Sequence, residues 1–138
     1  MKNTILPFTL AASISASALF AEAPAKLELQ QGEHVAIIGS GLADRMQHDG
    51  TLEAFVHKAL PQHDISFRNL GFAADEVASR MRSDDVPKTE EWLAKAKADV
   101  VLAFWGFNES CRGYDGLTKV KADLDKHIKE TKAAQEAR

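Results

Sequence analysis

The sequence predicts an α/β protein in which helices cover a parallel sheet. Three observations carry this. The run VAIIG at residues 35–39 is continuously apolar, as in a strand buried on both faces. TLEAFVHKAL, residues 51–60, changes to a helical period. The pattern then continues as β-α-β-α-β-α, an order that leads to parallel strands joined by right-handed crossovers. Three strands are expected, near residues 35–39, 65–70 and 99–105, enough for a small core with two open sheet edges.

Each element has a local reason. In residues 51–60, Leu52, Phe55, Val56, Ala59 and Leu60 make one apolar stripe, with Thr51 as the cap and Pro61 as the stop. DISFRNLG, residues 64–71, alternates Ile65 and Phe67 with polar residues and predicts the second strand. A short helix is expected from Asp75 to Arg82. Another is expected from Thr89 as N-cap, with Glu90 and Glu91 where the helix dipole favours acids. That helix should bury Trp92, Leu93 and Ala96. DVVLAFWGFN, residues 99–108, is the strongest strand pattern. The final helix places Leu117, Val120, Leu124 and Ile128 on one face.

Composition sets further bounds. The 138 residues suit one domain, and a formal charge of −3 argues against a general nucleic-acid surface. The first 25 residues contain one lysine, Lys2, then an apolar and small-residue stretch to Phe20. This reads as a secretory signal peptide over residues 1–21, cleaved after Ala21, so the protein is expected to be exported, periplasmic or secreted. Residues 22–33 form a polar lead-in and 34–138 the domain. No later segment reaches the ~20 apolar residues of a membrane span. Cys111 is the single cysteine, so no internal disulfide forms. Neither CxxC nor HExxH occurs, and no metal or cofactor is expected.

The turn after the first strand, HVAIIGSGLADRM at residues 34–46, admits two readings. Gly39-Ser40-Gly41 matches the first half of the dinucleotide fingerprint G-x-G-x-x-G. The third glycine position holds Asp44, however, and the second strand ends in Asn69 and Leu70 rather than in an acid that would bind ribose. The other reading is a nucleophile turn.

Three stretches fit the second reading together: Gly39-Ser40-Gly41-Leu42, Asn69-Leu70-Gly71-Phe72-Ala73-Ala74-Asp75, and Gly106-Phe107-Asn108-Glu109. Each falls at the C-terminal end of an expected strand, where open α/β sheets bind ligands. In these blocks the chain resembles the SGNH, or GDSL-type, hydrolases. LADRMQHDGTLEAF, FRNLGFAADEV and GFNES also resemble exported proteins of planctomycete- and verrucomicrobia-type bacteria. The resemblance implies a flavodoxin-like three-layer α/β/α sandwich with strand order 2-1-3. It implies hydrolysis of carboxylic esters, with a small ester or acylated sugar as substrate.

The resemblance also assigns residues. The family's nucleophilic serine falls at Gly41, which has no side chain. Ser40 stands one position earlier and would serve only in a turn shifted by one residue. Ala74 occupies the position of an oxyanion glycine, where any positive φ would be strained by its methyl group. Asn108 matches the second oxyanion donor. Gly41, Gly71, Trp105 and Phe107 are candidates for lining the pocket, although strand aromatics more often serve packing. The family's base comes from Asp-x-x-His, and none of the five histidines here (34, 48, 57, 63 and 127) has Asp three residues before it. Asp123 and His127 have the i,i+4 spacing of a surface pair. His48 and His57 read as solvent-facing, and Arg45, Arg68, Arg80 and Arg82 as ordinary surface residues. In the family, the last strands and the base follow the helix at which this chain stops. The expectation is a C-terminally incomplete domain, with further domains in a longer parent protein and with little or no esterase activity. The alternative is a non-catalytic carbohydrate- or ester-binding module of the same fold.

Overall fold

A computed structural model describes residues 26–80 and 86–136. The expected signal peptide, together with Arg82, lies outside the described residues. Three parallel strands form the sheet: β1 (His34–Gly39), β2 (Ser66–Asn69) and β3 (Val100–Phe104), in the order β2-β1-β3. His34 aligns with Ser66 on one side, and Val35 aligns with Val100 on the other. The first strand is central, as expected. Five of its six residues are buried because it has neighbours on both edges. Val35, Ile37 and Ile38 are each no more than 2% exposed. At its base the His34 N–H donates to Asp99 Oδ2 at 3.0 Å, tying the starts of β1 and β3 together.

Helices α1 (Gly41–Met46) and α2 (Thr51–Ala59) connect β1 to β2. Helix α3 (Thr89–Lys95) leads into β3, and α4 (Phe107–Ser110) follows it. A short 3₁₀ turn at Tyr114–Gly116 then opens α5 (Leu117–Glu136). The order β2-β1-β3 makes the two connections cross the sheet in opposite directions, which under the right-handed crossover rule puts them on opposite faces. On one face Ala36 and Ile38 pack with Leu93 of α3, Ala98 and Trp105.

Several local expectations change. Thr51 is the first residue of α2, not its cap. Gly50 takes the cap position in the left-handed region, and the Asp49 carboxylate accepts the Thr51 N–H at 2.9 Å. That hydrogen bond to the charged form holds the Asp49 carboxyl below its usual range. Thr89 likewise begins α3, with Lys88 at the cap position. Leu93 is buried as expected, but Trp92 is 38% exposed, with the Lys95 ammonium over its ring.

No helix forms over residues 75–80. Ala74 has φ +69°, which directs the chain out of a right-handed helix at the point where one would begin. The segment folds instead as a loop tied to the turn after β3.

The outer helices differ most from the apolar pattern. No residue of α2 is buried, and Phe55 is 66% exposed. In α5, Leu117, Leu124 and Ile128 are exposed, whereas His127 and Thr131 are buried. The expected Asp123–His127 surface pair does not form. Asp123 pairs with Lys119 at 2.5 Å, while His127 turns inward toward Glu90. The reason is the width of the sheet. Three strands present too little surface to cover every helical stripe, so β3 itself is only half-buried.

Candidate functional site

The three strands point the same way, so their following loops meet at one end of the sheet. The turn after β1 is built on Gly39, at φ +137°. A Cβ there would lie 2.3 Å from the Phe104 carbonyl oxygen, so only glycine lets β1 pass this close to β3. The Ser40 N–H then donates to that same oxygen at 3.0 Å, and the Ser40 carbonyl accepts the Asp44 N–H as α1 begins. Ser40 is 3% exposed.

The loop after β2 is fastened to α1. Asn69 Nδ2 donates to the Ala43 carbonyl at 2.8 Å, and Asn69 Oδ1 accepts the Gly71 N–H at 2.8 Å. Gly71 itself presses on α1, since a Cβ there would come within 2.4 Å of Ala43 Cβ. The Phe72 N–H donates to the Gly39 carbonyl at 3.0 Å, bringing this loop alongside the first. Ala74 follows in its left-handed conformation. A methyl group in that region costs about 1–2 kcal/mol. Replacing Ala74 with glycine is therefore expected to be neutral or to stabilise by up to about 1 kcal/mol, after the added freedom of the unfolded chain. Urea unfolding of both proteins measures this, and a clear loss of stability would refute the strain.

The loop after β3 turns at Gly106, φ +115°, and presents Asn108 in the short helix α4. Asn108 Nδ2 donates to Ser40 Oγ at 3.1 Å and lies 3.5 Å from the Asp75 carbonyl oxygen. Residues 68 and 33 positions apart in the chain thus meet on one amide. Glu109, next to Asn108 in α4, is 5% exposed and ties the neighbouring loops together. Its carboxylate accepts the Gly106 N–H at 3.0 Å and the Val77 N–H at 2.9 Å. Arg112 adds a second tie, donating to Glu76 at 2.7 and 2.5 Å, and this contact raises the Arg112 pKa.

The structure therefore brings Ser40 and Asn108 together, with Ala74 next to Asp75 beside them. Gly41 adjoins this site and is partly exposed, and a Cβ there would meet nothing within 4 Å. A side chain at Gly41 would face open space, whereas the Ser40 hydroxyl is packed inside and held by Asn108. Gly71 lines a cavity of about 210 Å³ with Leu70, Phe72, Thr89 and Trp92. Phe107 is 81% exposed. Trp105 packs inward: its ring meets His127 edge-on at 4.9 Å, and the Arg80 guanidinium lies over it at 5.6 Å. Arg80 is thus more than a surface residue, and it also approaches Asp75 at 3.8 Å.

Among the described residues no histidine hydrogen-bonds Ser40. His34 binds Asp99 at the opposite end of the sheet, His57 meets Phe67 edge-on, and His48 is exposed. Asp75 and Glu109 were not assigned roles from the sequence. Glu109 had a readable signal, since Glu three residues after a helix-opening Gly106 can accept that cap's N–H. Asp75 had none, because its burial depends on the turn at Ala74. The described residues contain no group of three or more potential metal ligands and no helix long and apolar enough to cross a membrane. No protein-family model, curated protein or solved structure matches the chain.

Proposed function

We propose that this chain carries an SGNH/GDSL-type hydrolase domain, a flavodoxin-like three-layer sandwich shortened to three strands. Its strand-end site binds carboxylic esters but turns them over near background. The observation that carries this reading is the 3.1 Å contact between Asn108 Nδ2 and Ser40 Oγ, beside the open position at Gly41. An amide donor fixed at the sheet's C-terminal end suits a carbonyl oxygen on which negative charge develops. A serine hydroxyl, in contrast, needs a base within roughly 2.6–3.2 Å to take its proton. Ser40 has an amide donor at that distance instead. The hydroxyl oxygen accepts there, and among the described residues no histidine hydrogen-bonds it to take its proton.

The same contact favours a second reading, a non-catalytic module for small esters or acylated sugars. Gly41 leaves room where a nucleophile would stand, and Asn108 still supplies a donor. Export to the periplasm or beyond belongs to the proposal through the N-terminal sequence.

Hydrolysis of p-nitrophenyl acetate tests both. The expected rate is near background and equal in the wild type and Ser40→Ala. A rate abolished by that substitution would make Ser40 a nucleophile and end the non-catalytic reading. In the ¹⁵N-labelled protein, an acetylated monosaccharide should shift the Asn108 side-chain amide signals. Unmoved signals at saturating ligand would remove the binding site from the proposal.

A further inference from the structure

The strongest feature outside the strand-end site is the way α5 is held. Its Leu117, Leu124 and Ile128 are 63%, 39% and 42% exposed, so the apolar stripe contributes little to its attachment. The residues it buries are His127 and Thr131. The His127 ring stands edge-on to Trp105 with centroids 4.9 Å apart, which places this imidazole on the sheet's core cluster. Its Nε2 lies 3.3 Å from Thr131 Oγ1, and its Nδ1 lies 3.6 Å from Glu90 Oε1 on α3. A further polar tie comes from Gln135, whose Nε2 donates to the Ala98 carbonyl at 3.1 Å. A titratable ring thus does the work that a leucine does in most amphipathic helices.

We propose that His127 is an acid-labile fastener, neutral when α5 is docked and releasing α5 from Trp105 and α3 when it takes a proton. The charges around it explain the direction. A cavity of about 470 Å³ beside the ring is lined by Arg80, Lys88 and Lys126 and by Glu90, Asp123 and Glu130. These three cations and three carboxylates are equal in number, so a proton on His127 gives the cluster a net positive charge at a buried position, and Glu90 at 3.6 Å offsets only part of that cost. The same indole already carries the Arg80 guanidinium, 5.6 Å from its centroid. Burial first, and Arg80 second, lower the His127 pKa below its ordinary value. Glu90 and Glu130 pull the other way and do not overcome them. The unfolded chain therefore takes its proton before the folded one. The stabilisation from neutral His127 is complete above about pH 6.5 and is lost as pH falls from there through the lower folded value.

Thermal melts of the purified chain at pH 7.5 and pH 5, with His127→Gln alongside, test this. Glutamine keeps a polar side chain of similar reach but cannot titrate. The wild type should lose more of its melting temperature than the variant between the two pH values. Hydrogen exchange should show the acid-induced loss of protection over residues 117–136 rather than over β1. Equal pH dependence in the two proteins would overturn the proposal. If the variant fails to fold, NMR titration of the wild type decides. His127 ring signals and the Trp105 indole N–H should move together with the α5 amides, and titration of the ring with those signals unchanged would also overturn it.

Discussion

Gly39→Ala is expected to destabilise the domain by about 2–5 kcal/mol. Two effects combine. An alanine at φ +137° is strained by about 1–2 kcal/mol, as is usual for a side chain in the left-handed half of backbone space. Its methyl group would also lie 2.3 Å from the Phe104 oxygen, a backbone atom that cannot rotate away. Relieving such an overlap in a packed core typically costs about 1–3 kcal/mol more. Single domains are stable by only about 5–15 kcal/mol, so much of the total would be lost. The melting temperature should fall by roughly 8 °C or more in circular dichroism, given about 4–8 °C per kcal/mol for a domain of this size. A variant melting within a few degrees of the wild type would show that β1 and β3 do not approach this closely. The Ser40–Asn108 contact should be lost with the turn, because Ser40 donates to the same Phe104 oxygen.

Removal of the Glu109 carboxylate should have the second-largest effect. Glu109→Ala is expected to cost about 2–4 kcal/mol, because it leaves the Val77 and Gly106 N–H groups without their charged acceptor. Both loops beside Asn108 depend on that one side chain. Glu109→Gln keeps one carbonyl oxygen and should fall between alanine and the wild type. Urea unfolding gives the stabilities, and amide exchange at Val77 shows whether the loop over residues 72–80 opens. An alanine variant as stable as the wild type, with Val77 still protected, would mean that other contacts hold this loop.

The strands and their order follow from features that a sequence displays directly. VAIIG is apolar at every position because the central strand has neighbours on both sides, and Ile65 and Phe67 alternate because β2 lies at an edge. The three blocks at the strand ends could be read for the same reason. Glycines at positions 39, 71 and 106 punctuate the apolar runs, and parallel strands must deliver their following loops to one end. Asn108 and Ser40 could therefore be placed together in advance, although their hydrogen bond could not.

What surrounds those blocks depends on contacts between distant parts of the chain. The spacing of residues 75–82 suits a helix, but the turn at Ala74 and the reach of Glu109 from 32 residues away make residues 75–80 a loop. Periodicity identifies Leu117, Leu124 and Ile128 as the face for α5 to bury. It carries no information on how much sheet is available to receive that face. With three strands there is too little, and the helix rotates to put His127 on Trp105. The sequence by itself determined the β-α alternation, the central strand and the glycine turns, because each rests on neighbours in the chain or on one strand's own burial. Tertiary structure alone decided that Ser40 is closed in, that Gly41 faces open space and that a histidine holds the last helix, because each depends on which surfaces meet once the sheet has formed.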